Sequence, residues 1–162
     1  MIRRSLLTAA LIIAGSAAIV PKAMAQSVDV PFTGSVGGVC NVGQVTPGLL
    51  GTNSPNNPTS LAAMLPGGSF GQFSVSCNQQ ALVSTSVPVQ TGGPGFIPMF
   101  SGSFVNSPYG SSNANSGGTS SSHSIPPGGP TTFSVDMYVD KGGIPLTPGN
   151  YSYVTTVSIT PF

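Results

Sequence analysis

Apolar and polar side chains alternate with a period of two in five stretches of this 162-residue chain. Val28, Val30, Phe32, Gly34 and Val36 fall on one face of the first. Phe73, Val75 and Cys77 share a face in GQFSVSC, and Val83, Thr85, Val87 and Val89 share one in ALVSTSVPVQ. Phe133, Val135, Met137 and Val139 alternate with Thr132, Ser134, Asp136, Tyr138 and Asp140. Near the C-terminus Tyr151, Tyr153, Val157 and Ile159 alternate with small polar residues. This period predicts half-buried antiparallel strands. No stretch from residue 26 onward sustains a helical period, and the recurrent Gly and Pro would weaken or break a helix interior. Two regions lack alternation. Residues 46–69 are rich in Pro, Asn and Gly, with SLAAML at 60–65 suggesting a helical turn, and residues 101–130 are mostly Ser, Gly, Asn and Pro. Such compositions bury little apolar area against the entropy of ordering, which predicts surface loops with partial disorder. With no internal repeat and no linker, the expected fold is a single all-β antiparallel sandwich carrying long Gly/Ser/Pro-rich loops.

The first twenty-five residues stand apart from that pattern. Arg3 and Arg4 precede an apolar run from Leu6 to Val20, and Ala23-Met24-Ala25 is a small-x-small cleavage site. These are the three parts of a secretory signal peptide. The apolar run falls short of the ~20 residues that span a bilayer. Paired arginines are ordinary in such leaders, so twin-arginine export is not required. The mature chain is expected to begin at Gln26 and to form one domain.

Removing the leader changes the charge. Arg3, Arg4 and Lys22 leave with it, so Lys141 stands against Asp29, Asp136 and Asp140, a net charge of −2 with no Glu. Nothing in this set neutralises a run of phosphates, which argues against a nucleic-acid partner. So few charges also leave little repulsion between copies, which suits a subunit that assembles. Cys40 and Cys77 both lie in the exported part. In an oxidising compartment an even pair reads as a disulfide, the alternative being two buried thiols.

Candidate chemistry is sparse. Gly67-Gly68-Ser69-Phe70-Gly71 satisfies G-x-S-x-G. That motif works on a strand-to-helix turn with an acid and then a histidine following. Here a strand follows, and His123 precedes Asp136 and Asp140, so a glycine-rich turn is the expected role. His123, the one histidine, lies in SSSHSIPP and reads as a solvated loop residue without an orienting partner. Asp136 and Asp140 fall on the polar side of their strand, where an outward face is expected rather than a calcium cage. The cysteines lack zinc or redox spacing. Neither an enzyme nor a cofactor or metal site is expected.

The opening stretch has a more specific likeness. Val30-Pro31-Phe32-Thr33-Gly34-Ser35-Val36 followed by Cys40-Asn41-Val42 resembles the start of chaperone–usher pilins. Gly71-x-Phe73-x-Val75-x-Cys77 resembles their second-cysteine strand, and Pro148-Gly149-Asn150-Tyr151 followed by Val157-Ser158-Ile159-Thr160 resembles their final strand. The chain is equally similar to spore coat protein U domains of archaic fimbriae. The resemblance implies an immunoglobulin-like sandwich that lacks its last strand. A periplasmic chaperone fills the resulting groove first, and the N-terminal extension of a neighbouring subunit then replaces it. It divides the chain into a signal peptide at 1–25, a donor extension at 26–37 and a sandwich at 38–162. Val28, Val30, Phe32, Gly34 and Val36 become the candidate donor strand. Pro31 has no N–H, so it loses a ladder bond unless its side of that strand faces solvent. The implied partners are neighbouring copies or related subunits, a periplasmic chaperone and an outer-membrane usher, and the implied site is the cell surface. The rival expectation is a complete secreted sandwich that binds a ligand through its loops, with 28–36 paired within its own domain.

Overall fold

A computed structural model describes residues 29–162. The expected leader at 1–25 and Val28 lie outside the described residues. The chain divides into two units, Met1–Ser35 and Val36–Phe162, each described by itself. In the first, residues 29–35 form no strand, and Val30 and Phe32 are exposed.

The second unit is all-β. Its strands are β1 (Cys40–Val42), β2 (Gly51–Thr52), β3 (Ser60–Ala62), β4 (Gly71–Cys77), β5 (Ala81–Thr85), β6 (Val89–Gly92) and β7 (Phe100–Ser107). They continue as β8 (Gly110–Asn115), β9 (Ser120–Ser121), β10 (His123–Ile125), β11 (Gly128–Asp140), β12 (Ser152–Val154) and β13 (Val157–Pro161). Every pairing is antiparallel. The largest sheet runs β1-β4-β11-β7-β8-β9, with β3 on β11 and β2 on β3. A second sheet runs β10-β5-β13, and β12 pairs with β6.

The inward positions of β4, β11 and β5 close on one another as the alternation predicts, and β7 joins them. Phe133 is fully buried and stacks on Phe73, its ladder partner, with ring centroids 4.8 Å apart. Val75, Cys77, Ala81, Val83, Val105 and Ile125 complete this cluster, and Leu61, Met137, Val139 and Leu146 form a second. Burying a side chain of this size contributes about 1.5–3 kcal/mol. Cys40 and Cys77 face each other across the β1–β4 ladder and are joined as a disulfide.

Expectations for the loop regions and for Asp136 fail. Residues 101–130 are not loop: they build β7, β8, β9, β10 and the start of β11. Apart from Val105 and Ile125, their inward residues are small. Ser101, Ser103, Ser112 and Ala114 are buried, and Ser103 Oγ donates to the Ser86 carbonyl at 2.6 Å. A hydroxyl bonded in this way can enter a core without an unmet polar group. Asn115 Oδ1 accepts the N–H groups of Gly117 and Thr119 to close the β8–β9 turn, where Gly118 takes a φ of 83°. SLAAML forms strand β3 and a turn, not a helical turn, because Leu61, Ala62 and Ala63 are all buried. Asp136 shares the outer face with Asp140 but is only 8% exposed, and its Oδ1 accepts the Ala63 N–H at 3.1 Å. Burial raises its pKa, opposed by backbone N–H donors from Ala63, Met64 and Met137. Sequence alternation locates its face; it does not reveal that the turn after β3 folds over that face.

Candidate functional site

The two sheets do not close on each other along one side. An apolar groove of about 900 Å³ opens there. Phe73, Val135 and Met137 of β4 and β11 form its floor. Tyr151, Tyr153, Val157 and Ile159, from the C-terminal segment, form one wall. Val42, Leu49 and Leu50 contribute the other. The wall residues Val157 and Ile159 pack on the first core cluster, and Tyr151 and Tyr153 on the second, yet none is fully buried. Val42 and Leu49 are exposed. The groove is therefore an uncovered flank of the core.

Both rims are unpaired backbone. Among the described residues β13 pairs only with β5, and β12 only with β6. Ser86 N–H donates to the Thr156 carbonyl at 2.9 Å, and Phe162 N–H to the Gln80 carbonyl at 2.9 Å. In an antiparallel ladder bonded and non-bonded positions alternate. The even-numbered residues 156–162 thus direct their backbone groups toward β5. Val157 and Ile159 direct theirs away, over the groove, and their side chains face into it. Thr155 also lines the groove, and its Oγ1 is buried without a partner. On the opposite rim β1 is the edge of the large sheet, continued by the bridges Thr46–Gln72 to β4 and Leu49–Ser69 just before it.

The wall tyrosines are anchored at their hydroxyls. Tyr151 donates to the Thr147 carbonyl at 2.6 Å, and Tyr153 lies 3.4 Å from Gln90 Oε1. Desolvation, and secondarily Tyr151 beside it, raises the pKa of Tyr153. The Tyr153 ring therefore presents neutral, largely apolar surface.

Val30, Phe32 and Val36 are 64%, 93% and 89% exposed, and a Cβ added to Gly34 would meet nothing within 4 Å. Asn78 holds the chain just downstream: its Oδ1 accepts the Val39 N–H at 2.7 Å, and its Nδ2 donates to the Gly37 carbonyl at 2.9 Å.

The other sequence candidates resolve as follows. Ser69 precedes strand β4, and its Oγ accepts the Leu49 N–H. His123 is not a solvated loop residue. It opens β10, and its Nε2 lies 2.9 Å from Ser107 Oγ. Its Nδ1 is buried without a partner, and burial lowers its pKa. Among the described residues no group of three or more His, Cys, Asp or Glu is placed to hold a metal ion. Val42, Leu49 and Leu50 were missed as a rim because their spacing follows no single period. Their only signal is apolar side chains inside a turn-rich segment. No protein-family model, curated protein or solved structure matches this chain.

Proposed function

We propose that this chain is an exported structural subunit that assembles with other copies by strand donation, its groove accepting residues 28–36 of a neighbour. The observation that carries the reading is the open groove: an apolar floor bounded by an unpaired edge with free N–H and C=O groups at Val157 and Ile159. An apolar strand added there satisfies both the floor and the edge, as in β-augmentation. The resemblance to an immunoglobulin-like pilin fold without its last strand points the same way, and with it a chaperone and usher as partners and the cell surface as destination. The disulfide accords with export.

Dimensions support the match. The β13 edge, Val157–Pro161, spans about 17 Å at ~3.3 Å per residue, and residues 28–36 in strand form reach about 30 Å, enough to cover it and continue past Thr155. Pro31 then sets the direction. In an antiparallel pair, directly opposed residues exchange both bonds. Val28, Val30 and Phe32, whose side chains enter the groove, are the residues that bond to the β13 edge, and Pro31 bonds to nothing on that side. In a parallel pair the outward residues supply the N–H groups, and Pro31 has none. An antiparallel donor also brings Gly34 toward the tyrosine half of the wall.

Gel filtration of residues 26–162 and 38–162 tests the reading. The longer form is expected to give concentration-dependent oligomers and the shorter a monomer. Phe32→Asp in the longer form should abolish the oligomers while leaving the fold intact, because an unpaired carboxylate resists entering an apolar groove. Equal oligomerisation of both forms, or a strictly monomeric longer form at high concentration, would sink it.

A further inference from the structure

We propose that His123 is an acid-sensitive latch between the two sheets, released when its imidazole takes up a proton. The residue belongs to β10, an edge of the small sheet, and its Nε2 reaches Ser107 of β7 in the large sheet at 2.9 Å. This contact ties the sheets by a side chain. The ring also lies 6.2 Å from the Phe133 ring at the centre of the core. Gly110 of β8 leaves room for it, since a Cβ there would come within 3.2 Å of His123 Cβ.

The surroundings suit only a neutral ring. Ser107 Oγ accepts the Tyr109 N–H at 3.2 Å and lies 3.2 Å from the Gly110 carbonyl oxygen. The serine thus completes its own bonding at one imidazole nitrogen. The other nitrogen, Nδ1, is buried and has no partner. Protonation gives both nitrogens an N–H and adds a full charge, so Nδ1 acquires a donor with no acceptor. Among the described residues no charged side chain offsets this. The groups that meet the ring are Ser107 of β7, Gly110 of β8 and Phe133 of β11, with Val83 of β5 across the ladder. Burial alone lowers the imidazole's pKa. A lowered value means that the opened state binds the proton more tightly. Opening is therefore suppressed above the ordinary value of 6.5 and grows as pH falls below it. Opening would free β10 from β7 and weaken the β10-β5-β13 sheet from the side opposite the groove.

Amide exchange of β10 in soluble, monomeric protein tests this, with rates corrected for their intrinsic pH dependence. The opening constant of β10 should rise by up to about tenfold per pH unit below the ordinary imidazole value. His123→Gln keeps a group able to bond Ser107 but cannot be charged, and its opening constant should stay flat with pH. An NMR titration of the wild-type ring keeps the proposal testable if that variant fails to fold. A midpoint at or above that of a free histidine overturns the latch. So does a His123→Gln protein with the wild-type acid response.

Discussion

Asp136 shows how one residue can follow its period and still defy its expected environment. It alternates correctly with Val135 and Met137, yet the turn after β3 covers it and directs backbone N–H groups at its carboxylate. Asp136→Ala would leave those donors unpaired in a buried place, at about 1–3 kcal/mol. Its pH dependence has a definite sign. The folded carboxyl binds its proton more tightly than the unfolded one, because burial raises its pKa. The stability it contributes is therefore greatest below the unfolded value of 3.8 and is lost as pH rises through the folded value. Denaturant melts of wild type and Asp136→Ala should differ more at pH 4 than at pH 7. A difference that shrinks in acid would mean that backbone donors outweigh burial. The disulfide is a second residue-scale lever. Replacing Cys40 and Cys77 together with Ala should lower stability by about 3–4 kcal/mol in the chain-entropy model. An unchanged denaturation midpoint would assign the Cys40–Val42 edge another anchor.

At the scale of elements, β8 and β9 are where composition misleads. Residues 111–122 contain no apolar side chain larger than Ala114, and by composition they are removable. In the fold β8 makes six paired positions with β7, and Ser112 and Ala114 are buried. Deleting 111–122 removes five of these pairs, and at about 0.2–1 kcal/mol per cross-strand pair it should cost about 1–5 kcal/mol. The thermal midpoint should fall by several degrees, and an unchanged midpoint would show that the β7 edge stands alone. The strands legible in the sequence, β4, β5, β11 and β13, share large inward side chains at period two, such as Phe73, Val83, Phe133 and Ile159. The illegible ones fill narrow space with small residues such as Ser103, whose hydroxyl finds the Ser86 carbonyl only in the assembled fold. The groove divides likewise. Its tyrosine and Val157–Ile159 wall was readable as a strand, but its openness was not, because an alternating pattern says which face is apolar and not what covers it. His123 was unreadable because the Ser107 that holds it lies sixteen residues away, and only the successive turns of β7, β8 and β9 bring the two together.

On the scale of the whole molecule, the proposed assembly reduces to whether an added strand completes this sandwich, and in which direction. A synthetic peptide of residues 26–37 added to the 38–162 domain should raise its thermal midpoint with peptide concentration, since a ligand bound only to the folded state stabilises it by mass action. Moving the proline by one position tests the direction. Pro31→Val combined with Val30→Pro takes the N–H from the residue expected to bond the β13 edge. In the antiparallel arrangement this leaves a covered edge carbonyl unpaired, at about 1–3 kcal/mol, or about tenfold or more in affinity. Pro31→Val alone should bind as the native peptide does, and Pro31→Val with Val30→Ala accounts for the lost side chain. In the parallel arrangement the pattern reverses: Pro31→Val gains a bond and binds more tightly, and a proline at position 30 does no harm to the ladder. Gly34→Val adds a check on placement, because a branched side chain carried toward Tyr151 and Tyr153 overfills the groove by about 1–3 kcal/mol. A peptide series in which every variant stabilises the domain equally would mean that the groove takes apolar chains without register, and that residues 28–36 do not specify the contact.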